Sequence, residues 1–149
     1  MIGTNDSDGA VGSFGDVSQI PTTKIADYPN KADYWALFPN NYTGNIALTI
    51  EFLRYKSNNV EMHVCTPPYR NQDGTDIGRI TKMIPLLEAV CRHYGVHLIY
   101  GTYENGIGYK MMSSSYPYSY DGVHFTVLGN EVFGKFFAQK VLSFGWQTR

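Results

Sequence analysis

The feature that most constrains the fold is an apolar helical repeat flanked by two short apolar segments. Apolar side chains recur at alternating spacings of three and four between residues 77 and 94, which predicts a helix. Asp76 suits its N-cap, Gly95 suits a left-handed residue that ends it, and the internal Pro85 predicts a kink. Residues 60–65 and 96–100 each predict a short buried strand. This order predicts an α/β domain whose strands are parallel and joined by a right-handed crossover.

Two further helices and two long connections complete the predicted organisation. Helices are expected at residues 44–57 and 127–142, the second capped by Thr126. Residues 7–41 are rich in turn formers, but the apolar patch at 34–38 should fold back over the body. Residues 101–120, rich in Gly, Ser and Tyr, predict a loop. Met1 and Ile2 look like the end of a buried strand. The loops after Ile2, after Cys65 and after Tyr100 should then carry function, at the carboxyl ends of strands.

Composition narrows the class of protein. A chain of 149 residues is long enough for one domain, and 43% hydrophobic against 17% charged residues excludes disorder driven by charge. The net charge of −1 argues against a nucleic-acid surface, and no apolar run approaches the ~18 residues of a membrane span. Cys65 and Cys91 lie in apolar segments and are expected to be core residues. The 12 tyrosines suit contact with sugars or proteins.

The segment Asp121-Gly122-Val123-His124 carries the clearest chemical signal. In a tight turn, a carboxylate three residues before an imidazole accepts a hydrogen bond from Nδ1–H. Nε2 is then free to act as a general base, and Gly122 helps the backbone to turn. The alternative is an ordinary Asp-Gly turn with His124 at a helix entry.

Asn5 follows the first strand end, within Gly3-Thr4-Asn5-Asp6. An Asn amide at that place can donate a hydrogen bond to the developing negative charge of an oxyanion. On its own, however, the segment is also typical of a turn after a strand.

Taken together, these segments resemble a known family. Gly3-Thr4-Asn5-Asp6 is similar to the third conserved block of the SGNH (GDSL) hydrolases, and Asp121-Gly122-Val123-His124 to the fifth. The strand-then-Thr-Pro stretch at residues 64–68 and the C-terminal helix with Gly129 are also similar to that family. The resemblance covers nearly the whole chain, and residues 7–41 are its least typical part.

The resemblance implies a flavodoxin-like three-layer α/β/α fold and an ester hydrolase that works by serine acylation. It implies His124 as base and acid, Asp121 as its orienting partner and Asn5 as an oxyanion-hole donor. The substrate would be a small-molecule ester or an acylated carbohydrate, with neither cofactor nor metal. Tyr118 and Tyr120 should border the substrate cleft, unless their segment packs against the Trp35 loop instead.

The sequence departs from the family at its beginning. The family nucleophile is the Ser of a Gly-Asp-Ser block on the first strand, and the chain starts at the third block. Ser7 and Ser18 lie in the wrong sequence context to replace it. We therefore expect residues 1–149 to be one N-terminally truncated domain, inactive alone, with the missing strands supplied in cis or in trans.

The alternative function is a non-catalytic carbohydrate- or protein-binding module on the same scaffold. A secreted, cell-surface or phage-associated setting would suit such a module, and the sequence leaves the location open. His63, His93 and His97 are expected to be structural or surface residues rather than metal ligands, because they lack carboxylates at a metal-binding spacing.

Overall fold

The structure, a computed structural model, describes residues 14–57, 61–71 and 77–144, with the side chains of 77–79 left out. Its α-helices and strands follow in chain order: α1 (Lys31–Trp35), α2 (Tyr42–Lys56), β1 (His63–Cys65), α3 (Ile77–Tyr94), β2 (His97–Ile99), α4 (Gly101–Glu104) and α5 (Val127–Ser143). Short 3-10 turns cover Val17–Gln19, Ile25–Asp27 and Tyr109–Met112. The predicted N-cap Asp76 and the strand end predicted at Met1–Ile2 lie outside the described residues.

The two strands pair in parallel, and α3 connects them. His63 pairs with His97 and Cys65 pairs with Ile99. The mixed α/β character and the parallel βαβ unit predicted from the sequence are therefore confirmed. Each strand has three residues, so both are shorter than the segments that predicted them.

Helices contact both faces of the strand pair. On one face, Val64 and Leu98 pack against a buried cluster that α2 and α3 supply, formed by Tyr42, Ile80, Met83 and Leu87. On the other face, Cys65 lines an apolar groove with Phe133 and Phe137 of α5. This alternation follows from the pleat, which sends successive side chains to opposite faces.

The prediction for α3 is confirmed over its whole length. Ile80, Leu87 and Cys91 are buried, as the three-and-four spacing requires. Gly95 follows the helix with φ +61°, the left-handed conformation expected of its C-cap. Pro85 lies inside the helix, which continues through it from Ile77 to Tyr94, and the kink stays a prediction.

The region before α2 folds back over the body, as its apolar patch predicted. Tyr34 is only 1% exposed and joins Phe38, Ile50 and Val90 in one core cluster. The description of residues 7–41 as a long loop is wrong for 31–35, where Asn30 caps the one-turn helix α1 by accepting a hydrogen bond from the Ala32 N–H.

The loop predicted for residues 101–120 is likewise wrong for its first turn. Residues 101–104 form α4, and the Asn105 amide donates a hydrogen bond to the carbonyl of Gly101. A turn this short leaves no periodic signal in the sequence, so composition alone misassigns it.

The last helix begins where the Thr126 cap predicted. Thr126 Oγ1 accepts a hydrogen bond from the Gly129 N–H at 3.1 Å. Among the apolar side chains of α5, Phe136 is buried, and four others are half-buried: Val132, Phe133, Phe137 and Val141. Across the described ranges, no helix has both the length and the apolar character needed to cross a membrane.

Candidate active site

The candidate site is a turn that leads into α5. Ser119 and Phe125 form an antiparallel bridge, and the Tyr120 N–H donates to the His124 carbonyl at 3.0 Å. Gly122 sits between them with φ +85°, a conformation that favours glycine and closes the turn. The buried Ser119 Oγ accepts from the Gly122 N–H at 2.8 Å and donates to the His124 carbonyl at 3.1 Å. The backbone on both sides of Asp121 is therefore held in place.

Within this turn, both carboxylate oxygens of Asp121 contact His124. Oδ1 accepts the backbone N–H groups of Val123 at 2.9 Å and His124 at 2.8 Å. Oδ2 lies 2.8 Å from the His124 Nδ1. The carboxylate–imidazole pair predicted from the spacing is thus formed, with Nδ1 as the atom it engages.

The hydrogen bonds also set the charge of the carboxyl group. The backbone N–H of His124 is the largest cause that lowers the pKa of Asp121 below its ordinary value, followed by the His124 side chain and the Val123 N–H. Asp121 is therefore ionised at neutral pH. The His124 side chain is 76% exposed, and in the described part of the chain no hydrogen-bond partner occupies its Nε2. The imidazole is therefore largely open to solvent.

The turn is joined to the loop that follows β1. The Asn71 N–H donates to the Gly122 carbonyl at 2.8 Å. This contact joins the Asp121–His124 turn to the loop that leaves the carboxyl end of β1, the edge at which open parallel sheets collect functional residues. The loop after Cys65 therefore contacts the turn, and its contribution to function stays a prediction.

A buried pair of threonines connects the loop after β1 to helix α4, which follows β2. Thr66 and Thr102 Oγ1 atoms are 2.8 Å apart, and the Thr102 N–H donates to Thr66 Oγ1 at 2.9 Å. Thr102 Oγ1 also donates to the Pro67 carbonyl at 2.6 Å. Both side chains are almost fully buried, so this network fixes the carboxyl edge of the strand pair from within.

The two predicted cleft tyrosines lie in different environments. Tyr120 is 65% exposed beside Asp121. Tyr118 is half-buried against the core cluster that contains Met112 and Phe125, and its carbonyl accepts the Thr126 N–H. Tyr120 is therefore free to meet a ligand, whereas Tyr118 supports the turn.

The alternative packing proposed for this tyrosine segment involves the Trp35 loop. Trp35 contacts Tyr34, Phe52 and Tyr55 in the described structure. Tyr118 packs in a separate cluster.

Sequence reasoning missed three parts of this site: Ser119, Asn71 and the Thr66–Thr102 pair. Ser119 stands two residues before Asp121, and a Ser so close to an Asp-Gly turn is a local signal that could have been used. Asn71 acts through its backbone, and Thr66 and Thr102 are 36 residues apart, so neither contact leaves a local pattern. Asn5, the predicted oxyanion donor, lies outside the described residues.

The other histidines make packing contacts. His63 and His97 stack at 5.3 Å between ring centroids, and each also stacks on Phe144. His93 packs edge-on against Tyr94. Within the described ranges, no three His, Cys, Asp or Glu side chains gather closely enough to hold a metal ion.

Comparison with known proteins informs the fold alone. No family model matches the chain, and no curated protein does. A solved crystal structure matches with a TM-score of 0.58 at 17% sequence identity. The match covers 89% of this chain and 61% of that one, so this chain spans less than two thirds of the solved structure's length. At this identity the likeness supports a shared fold and says nothing of activity.

Proposed function

We propose that the chain carries the base and orienting carboxylate of an SGNH-type ester hydrolase. The observation that carries the proposal is the 2.8 Å contact between Asp121 Oδ2 and His124 Nδ1, with the imidazole otherwise exposed. Asp121 fixes the tautomer that leaves the Nε2 lone pair available, and its negative charge stabilises the imidazolium that forms during reaction.

The chemistry follows from that arrangement. Nε2 would take the proton of a serine hydroxyl as the serine oxygen attacks the ester carbonyl, forming a tetrahedral oxyanion. The imidazolium would return the proton to the leaving alkoxide as the acyl-enzyme forms. A water molecule, deprotonated by the same Nε2, would then release the acid and regenerate the serine.

The remaining parts of the machinery are proposed from the resemblance. We propose Asn5 as an oxyanion donor and a serine in a Gly-Asp-Ser block upstream of residue 1 as nucleophile. Among the described serines, Ser119 uses its hydroxyl within the turn, and Ser18 belongs to a 3-10 turn that packs against α2 and α3. Tyr120 would border the bound ester or acylated sugar.

The proposed scaffold is the flavodoxin-like three-layer α/β/α arrangement. Two features support it: α2 and α3 cover one face of the strand pair while α5 covers the other, and the strands run parallel. In such a fold the Asp121–His124 turn would lie at the carboxyl edge of a wider sheet, where a nucleophile on a neighbouring strand could reach it.

The test measures hydrolysis of p-nitrophenyl acetate and butyrate by the chain as given and by a form extended with its upstream coding sequence. We expect turnover from the extended form, and a loss of about 10³-fold or more in kcat for His124→Ala, because the base is removed. His93→Ala is the matched control, since His93 is exposed and its ring packs on Tyr94, outside the Asp121–His124 turn.

Two results would contradict the proposal. One is an extended form that does not hydrolyse either ester. The other is His124→Ala with the same activity as His93→Ala. Binding of the chain to a glycan array without hydrolysis would favour the alternative, a carbohydrate-binding module, which the exposed Tyr116 and Tyr120 rings would suit.

A further inference from the structure

The C-terminal half of α2 exposes an apolar surface that the rest of the described chain leaves open. Phe52, Leu53 and Tyr55 are 44%, 42% and 45% exposed. The Trp35 ring lies 5.9 Å from the rings of both Phe52 and Tyr55, so the surface is continuous from α1 to α2. We refer to it as the α2 patch, made of Trp35, Leu48, Thr49, Phe52, Leu53 and Tyr55.

The α2 patch contains a shallow groove that is open to solvent. The groove, of about 350 Å³, is lined by five of its residues: Trp35, Leu48, Thr49, Phe52 and Leu53. Contiguous exposed apolar surface with a groove marks an interaction site more often than scattered apolar residues do. Its content of Trp, Tyr and Phe is typical of the residues that dominate binding energy in protein interfaces.

The charge at the patch is positive. Lys56 Nζ lies 5.5 Å from the ring centroids of Phe52 and Tyr55, and among the described residues no carboxylate pairs with it. Glu51, the acidic residue of α2, is half-buried beside Tyr34 and Tyr94. Burial is the largest cause that raises the pKa values of these two tyrosines, and the nearby Glu51 carboxylate raises them further, so Glu51 is directed towards them.

The nearest acidic side chain on α1 also faces elsewhere. Asp33 stands two residues before Trp35, a spacing that puts the two on different sides of a helix, and it accepts a hydrogen bond from the Asn30 amide. The free charge that borders the groove is therefore that of Lys56.

We propose that the α2 patch binds an amphipathic helix of a partner protein whose apolar face is flanked by acidic residues. A large apolar side chain of that helix would seat in the groove, and a carboxylate beside it would pair with Lys56. This is the helix-in-groove mode of recognition, in which apolar anchors supply affinity and flanking charges select the partner. The proposal does not depend on the ester hydrolase activity.

Two other occupants fit the observations less well. A second copy of the chain, docked by the same patch, would bring two unpaired Lys56 side chains to one interface, and like charges there oppose association. An anionic bilayer would gain only about 1 kcal/mol from each basic side chain near its surface, and Lys56 is the basic side chain that borders the groove.

The test uses fluorescence anisotropy with a synthetic helical peptide that carries Leu at every third and fourth position and Glu elsewhere. A peptide with Lys in place of Glu is its charge-reversed counterpart. We expect the acidic peptide to bind at least 10-fold more tightly than the basic one. Leu53→Ser should weaken that binding about 10-fold, and Lys56→Glu should reverse the preference between the peptides.

Leu142→Ser is the matched control, because Leu142 is an aliphatic side chain exposed on α5, away from the α2 patch. Circular dichroism melts confirm that each variant is folded. The proposal is overturned if neither peptide binds, if Leu142→Ser weakens binding as much as Leu53→Ser, or if Lys56→Glu leaves the preference unchanged. It is also overturned if light scattering shows a dimer that Leu53→Ser dissolves, or if only anionic vesicles bind.

Discussion

At the scale of single residues, the Asp121 carboxylate has two separate roles. Oδ1 accepts two backbone N–H groups and so shapes the turn, while Oδ2 engages the His124 ring. An amide at this position would keep an oxygen for the backbone but lose the negative charge that faces Nδ1. Replacing Asp121 by Asn therefore separates the charge of the residue from its role in the turn.

This division gives a prediction for stability against pH. The pKa of Asp121 is lowered in the folded state, so its contribution is present above the ordinary value of about 3.9 and is lost as the pH falls through the lowered pKa. We expect the Tm of the wild type to drop between pH 5 and pH 3 more steeply than that of Asp121→Asn, measured by calorimetry. Asp33→Asn, at an exposed carboxylate, is the control. Equal slopes for the wild type and Asp121→Asn would contradict the prediction.

At the scale of elements, the sequence predicted the long helices, whose apolar residues recur with a clear period. The 18 residues of α3 hold enough repeats to define a face, and Gly95 marks its end by a conformation that other residues rarely adopt. Helix α1 and helix α4 span about one turn each, too short for periodicity, and both depend on an Asn side chain bonded to nearby backbone. An Asn side chain can form several such local hydrogen bonds, each with a different backbone conformation. The surrounding structure determines which of them forms, so the sequence of the segment alone does not reveal it.

The start of α5 allows a test at this scale. Thr126 Oγ1 accepts the Gly129 N–H and donates to the Pro117 carbonyl, so one side chain caps the helix and holds the tyrosine segment. We expect Thr126→Ala to lower the free energy of unfolding by about 1 kcal/mol, measured by urea denaturation. Thr126→Ser keeps the hydroxyl and should lose much less. If the Ala and Ser variants unfold at the same urea concentration, the hydroxyl is not the cap.

At the scale of the whole molecule, the candidate site is assembled from distant parts of the chain. The turn before α5 supplies Asp121 and His124, the loop after β1 supplies the Asn71 contact, and the buried threonine pair joins that loop to α4. The sequence located the first of these because its residues are three apart. It could not locate the others, because a hydrogen bond between Thr66 and Thr102 depends on how β1 and β2 align.

Because the threonine pair joins the segments that follow β1 and β2, we expect it to couple the pairing of the strands to the geometry of the site. Either single variant removes the bond between the two hydroxyls. Thr66→Val also leaves the buried Thr102 N–H without its acceptor, and Thr102→Val leaves the Pro67 carbonyl without its donor, at a cost of about 1–3 kcal/mol in the free energy of unfolding. The double variant removes both hydroxyls, so its loss should fall short of the two single losses together by at least about 0.5 kcal/mol. Urea denaturation of the four proteins measures this coupling, and Thr49→Val, at an exposed hydroxyl on α2, serves as control.

The same variants test whether the threonine pair supports the site. Thr66 begins the segment that ends at Asn71, whose N–H donates to the Gly122 carbonyl between Asp121 and His124. A loosened Thr66 should therefore shift the amide resonances of Asn71 and Val123 in an NMR spectrum, whereas Thr49→Val should leave both in place. Strictly additive losses, together with unchanged resonances, would show that the two loops hold their positions independently and that the site rests on the local turn alone.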